Sequence, residues 1–160
     1  MQPSRILLAA VAFTSGAAFA GTADVKFIAP ERFTDLATSP VQERDTMDAL
    51  ARHLQRLAAG LPADHVLHVD VLDVDLAGYA YPTRRGNVRV NNGLADAPAI
   101  HLRYTLEARG QVIRSGDERL VDLAYQHPGG SWRSTGPFYY EKRMLSSWFA
   151  RTFGESHAAR

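Results

Sequence analysis

The sequence contains no cysteine, which removes a disulfide framework, a thiolate metal site and a lipid anchor attached through an N-terminal cysteine from consideration. Neither sign of charge dominates: 18 Lys and Arg stand against 17 Asp and Glu, for a formal net charge of +1. Such a balance gives no electrostatic drive toward nucleic acid, and none is expected as a partner. No apolar run approaches the roughly 20 residues of a membrane-spanning helix, and no internal repeat is present. A nucleophile elbow of the G-x-S-x-G type is also missing, and Gly129-Gly130 lacks the G-K-[ST] ending of a phosphate loop. With no cofactor fingerprint, no cofactor is expected. What remains, 46% hydrophobic and 22% charged residues in a chain of 160, is the composition of one compact globular domain.

Residues 1–20 have the pattern of a secretory signal. Arg5 supplies the positive charge, Ile6 to Phe13 the apolar stretch, and Ala18-Phe19-Ala20 a small-x-small cleavage site. The sequence therefore predicts export to the periplasm with cleavage after Ala20, leaving a soluble domain over 21–154 and a flexible tail over 155–160, with no membrane span. Loss of Arg5 leaves 17 basic against 17 acidic residues (18 minus 1 against 17).

Within that domain, Ala23 to Ile28 alternates as a short strand ending before Pro30. Ser39, Pro40 and Gln42 form an N-terminal capping pattern for a helix whose apolar stripe is Met47, Leu50, Leu54, Leu57 and Leu61, stopped by Gly60 and Pro62. A long strand over His65–Leu76 changes phase near Leu72, the signature of a bulge. Gly78–Gly86 reads as a loop, Asn87–Val90 as a short strand closed by Asn91-Asn92-Gly93, and Ile100–Glu107 as a strand with one wet face. Gln111–Ser115 and the run Leu120–Tyr125 follow as further strand material. His127 to Gly136 reads as loop, and Pro137 opens a second helix that Gly154 closes. The order strand, helix, strands, helix predicts an α+β fold: a mostly antiparallel sheet of four to five strands with two helices on one face.

Candidate sites are few. Tyr79, Tyr81, Arg84 and Arg85 combine the residue types enriched at interface hot spots on one segment, which makes it the candidate binding surface. His68 and Asp70 share a strand face, and with His101 they form the candidate metal set of an alternative, hydrolytic reading. At the start of the second helix, Glu141 suits the positive helix end, and the charges beside it suit a solvent face.

Three segments carry a family resemblance: Phe27 with Pro30-Glu31-Arg32-Phe33-Thr34-Asp35; Asp73 with Leu76-Ala77-Gly78; and Glu141-Lys142-Arg143-Met144-Leu145 with Trp148-Phe149. The chain resembles the bacterial family of exported proteins called domain of unknown function 3016. That likeness implies a signal-bearing single domain and transfers no catalytic residue. The expectation is a soluble periplasmic accessory or binding protein, without catalysis, that contacts an envelope protein or ligand. The alternatives are a periplasmic metal-dependent hydrolase and an inhibitor of an envelope enzyme.

Overall fold

The computed structural model describes residues 20–37, 39–84, 86–90, 96–125 and 136–154. The Asn91–Gly93 turn, the 127–135 stretch, the signal segment up to residue 19 and the 155–160 tail lie outside the described residues. Strand β1 (Thr22–Phe27) turns Ala23, Val25 and Phe27 toward the core and leaves Thr22, Asp24 and Lys26 in solvent. Helix α1 (Pro40–Ala58) starts where Ser39 Oγ accepts the Gln42 N–H at 3.3 Å, as the capping pattern predicts. Its buried stripe is Thr46, Leu50, Leu54 and Ala58, continued by Leu61, so Met47 and Leu57 sit at the margin of the stripe rather than on it. Thr46 tolerates burial because its hydroxyl donates to the Gln42 carbonyl at 2.7 Å.

The helix crosses over to β2 (His65–Asp75), which pairs parallel with β1. β2 buries Leu67, Val69 and Val71, then slips register between Val71 and Asp73 and buries Val74. The phase change in the sequence is this bulge. β5 (Ala99–Ala108) and β6 (Gln111–Val121) complete an antiparallel hairpin through Arg109 and Gly110, whose φ angles of 54° and 75° are those of a two-residue turn with both central residues left-handed. The two runs expected separately over 111–125 are one strand as far as Val121. The main sheet runs β1-β2-β5-β6, and both helices cover one face of it. The architecture is the expected α+β one, with strand, helix, strands and helix in the predicted order.

One expectation is overturned: Gly78–Gly86 is not a loop. Tyr79–Thr83 forms β3 and pairs antiparallel with β4 (Gly86–Val90) as a separate two-stranded ribbon. Gly78, with φ 76°, turns the chain out of β2, and the alternating Tyr79 and Tyr81 suit a pleated strand. Pro82 is tolerated because a two-stranded ribbon consists of edges. Helix α2 (Tyr139–Phe153) begins two residues later than Pro137, after Phe138 in a left-handed conformation.

The core closes around α2. Trp148 is fully buried, with its ring edge-on to Tyr104 at 5.4 Å and to Phe153 at 5.6 Å. The Tyr104 ring occupies the space beside Gly116 on the neighbouring strand, where an added Cβ would stand 2.7 Å from it. At the other end, Gly21 donates to the Leu61 carbonyl at 3.0 Å, and a Cβ there would meet the Ala58 oxygen and Leu61 Cβ at 2.8 Å. Among the described residues, no helix is long and apolar enough to cross a membrane.

Two stability changes follow. Trp148→Ala is expected to lower unfolding free energy by about 3–5 kcal/mol in denaturant melts, because the cavity it leaves is walled by rings that cannot collapse. Gly21→Ala is expected to lower it by about 1–3 kcal/mol, since the backbone of α1 has to move to admit one methyl group.

Candidate functional site

After the short 3-10 turn Pro30–Arg32, the chain returns alongside the end of β2. Thr34 donates its backbone N–H and its hydroxyl to the two carboxylate oxygens of Asp73, at 2.7 and 2.9 Å. Asp35 then donates its N–H to the Val74 carbonyl and accepts from the Leu76 N–H, a short parallel bridge that fixes where its side chain points. The partner of that side chain comes from β4. In the β3–β4 ribbon, Tyr79 stands opposite Val90 and Tyr81 opposite Val88, whereas Ala80, Asn87 and Arg89 have the other parity and line a cleft.

Arg89 reaches Asp35 with both terminal nitrogens, at 2.8 and 3.1 Å, in a fork that matches the planar guanidinium to the carboxylate. The same guanidinium donates to the Gly78 carbonyl at 2.8 Å. Each side chain is less than a third exposed, 29% for Arg89 and 27% for Asp35, so water screens the pair only partly.

The opposite wall comes from the first turn of α2. Glu141 is only 3% exposed, and its Oε1 accepts the Ala77 N–H at 2.8 Å. Burial pushes the Glu141 carboxyl above its ordinary range, opposed by the Ala77 and Glu141 N–H groups and by the positive charges of Arg89 and Lys142. The sequence placed Glu141 at the positive helix end, which is correct, but the side chain turns inward to bind Ala77. Between these walls lies a cleft of about 340 Å³, lined among others by Leu36, Leu76, Arg89, Phe138, Tyr139 and Glu141. Its described lining offers apolar walls and a few fixed polar groups, the Arg89 guanidinium and the Glu141 carboxyl among them.

The residues singled out in the sequence fall in two other places. Tyr79 and Tyr81 are 39% and 54% exposed on the outer face of the ribbon, with rings 6.4 Å apart and nearly perpendicular. Arg84 is exposed in the turn that follows β3, and Arg85 lies outside the described residues. The metal set does not gather. His68 lies between Asp24 at 3.7 Å and Glu107 at 3.8 Å, Asp70 is opposite Arg103, and the His101 ring meets Asp117 on β6 at 2.6 Å. That His101 contact comes first among the causes that hold the Asp117 carboxyl below its usual range, followed by a bond from Arg103. Among the described residues, no group of three or more His, Asp or Glu has the closeness a metal ion needs.

Asp35, Arg89 and Glu141 are the residues that sequence reading missed as a unit. The signal was present in part: Asp35, Ala77 and Glu141 belong to the three segments that carry the family resemblance, and these segments meet here. Arg89 sat unremarked between two valines in an alternating strand.

A titration follows from the burial of Glu141. An acid whose folded value is raised keeps its proton in the folded protein after the unfolded chain has lost it, so its contribution to stability falls as pH rises above the ordinary 4.5. Glu141→Gln keeps an acceptor for the Ala77 N–H without the charge. The difference in melting temperature between Glu141→Gln and the wild type is therefore expected to grow in favour of the variant as pH rises from 4.5 through the raised value, and to level off beyond it. A pH series of thermal melts measures this difference, which cancels the opposite contribution of His53, whose value burial lowers.

Comparison with known proteins adds the family. No curated protein matches the chain. Among solved structures, a PelC dodecamer from Paraburkholderia phytofirmans is similar at 16% identity and TM-score 0.31, covering 86% of this chain and 95% of that one. The crystal structure of an uncharacterized protein is similar at 15% identity and TM-score 0.27, covering 91% and 86%. Similarity at that level carries no argument about what the chain does. The family described as protein of unknown function DUF3016 matches residues 21–151, nearly the whole domain, and the chain belongs to that family.

Proposed function

We propose that the protein is an exported, non-catalytic accessory protein of the bacterial periplasm that binds an envelope protein through the outer face of the β3–β4 ribbon. The observation that carries this reading is the division of labour between the faces of that ribbon. Its inner face is tied down by Arg89 and closes the cleft, whereas its outer face presents Tyr79, Tyr81 and Val88 to solvent, with Val88 53% exposed. The ribbon does not join the main sheet, so these rings are not part of the main hydrophobic core. Large, rigid side chains of this kind lose little conformational freedom on docking and supply much of the contact energy at interfaces. Export is supported by the signal pattern of residues 1–20.

In-cell photo-crosslinking from probes at positions 79, 81 and 88 is expected to capture one dominant envelope protein, and Tyr79→Ala combined with Tyr81→Ala is expected to reduce the capture from position 88 by at least about tenfold. Captures that do not depend on probe position or on the two tyrosines would contradict the reading. The intact mass of protein recovered from the periplasm is expected to begin at Gly21.

A further inference from the structure

Strand β6 is one edge of the main sheet and, among the described residues, no backbone hydrogen bond reaches its outer side. It is eleven residues long, and Val112, Ile113 and Val121 near its ends are 60%, 55% and 46% exposed. A long edge with apolar ends invites strand addition unless its charges forbid it. Here one pair of opposite charges, Arg114 and Glu118, is placed symmetrically about Gly116. Counting outward from Gly116 in both directions, Ser115 mirrors Asp117, Arg114 mirrors Glu118 and Ile113 mirrors Arg119.

We propose that β6 pairs antiparallel with β6 of a second copy of this chain, centred on Gly116, joining two four-stranded sheets into one. In that register Arg114 of each copy stands opposite Glu118 of the partner subunit, so two ion pairs form about the axis. Arg114 and Glu118 lie opposite Leu106 and Leu102 of β5, both core residues, so they share the helix-facing parity of the strand. Directly opposed residues in a sheet share a face, and the pairing therefore keeps all four helices on one side.

Neighbouring registers of the same kind are worse. Centring on Asp117 sets that carboxylate against its own copy, and centring on Ser115 sets Glu118 against Val112 and Asp117 against Ile113, with no charge paired. Gly116 also suits the centre, because its missing side chain, required by Tyr104 beneath it, leaves nothing to collide on the axis. The register slip between Leu106 and Glu107 limits regular pairing to the stretch around 114–118, so the expected dimer is concentration-dependent rather than permanent. This proposal is independent of the ribbon surface described above.

Sedimentation of the purified protein over a concentration series tests it. The wild type is expected to show monomer and dimer in exchange. Glu118→Arg, which opposes two arginines at each site, and Arg114→Glu, which opposes two glutamates, are each expected to weaken association by at least about tenfold, and the double exchange Arg114→Glu with Glu118→Arg to restore it to within about threefold. Glu118→Gln, a milder change, is expected to weaken association less and stands in should Glu118→Arg fail to fold. A monomer at every concentration, or a dimer whose strength ignores the single exchanges or is not recovered in the double, would overturn the proposal.

Discussion

The fork between Arg89 and Asp35 decides the shape of the cleft and of the ribbon that closes it. The β3–β4 ribbon shares no ladder with the main sheet, and a two-stranded ribbon by itself is only marginally stable in water. Arg89 supplies the missing anchorage by joining Asp35, which is itself stitched to the end of β2, and by capping the Gly78 carbonyl where the chain leaves that strand. Hydrogen bonds that involve a charged group contribute about 1.5–3 kcal/mol each when shielded and well under that at an open surface. The partial exposure of both side chains places this fork between those limits, enough to bias the ribbon toward one position without making it rigid.

The rest of the architecture brings the partners of that fork together. The β1–α1–β2 crossover delivers the Thr34–Leu36 segment to the end of β2, and the bulge after Val71 turns Asp73 toward Thr34 while Val74 stays in the core. Helix α2 is held in place by the Trp148, Tyr104 and Phe153 rings, and from that fixed position its first turn carries Glu141 into the gap beneath Ala77. A buried carboxyl is expensive unless its oxygens are used. Here it secures the backbone at the point where β2 gives way to the ribbon, so the acid and the fork brace one junction from two sides.

The sequence made some of this legible and hid the rest for physical reasons. The cap at Ser39 and Pro40, the β2 bulge and the alternation of Ile100 to Leu106 all express local rules of spacing, and the structure realises each of them. The ribbon was misread because Gly78, Pro82 and Gly86 are turn signals, and their weight masked the Tyr79 and Tyr81 alternation between them. Glu141 was placed correctly on the first turn of α2, but no local rule tells whether a first-turn acid faces water or a backbone N–H 64 positions earlier. The Arg89 fork spans 54 positions and was invisible for the same cause: its partner is chosen by tertiary packing. Strand parity places His68 and Asp70 on one face, but it does not supply the register that sets His101 opposite Asp73 and against Asp117.

The most direct test of the central role of the fork is hydrogen exchange, read by mass spectrometry, of the wild type against Arg89→Gln. The account predicts that amides of 79–83 and 86–90 exchange faster in the variant while those of β2 and β5 keep their protection. Unchanged protection in the ribbon, or a loss spread evenly over the whole sheet, would contradict it.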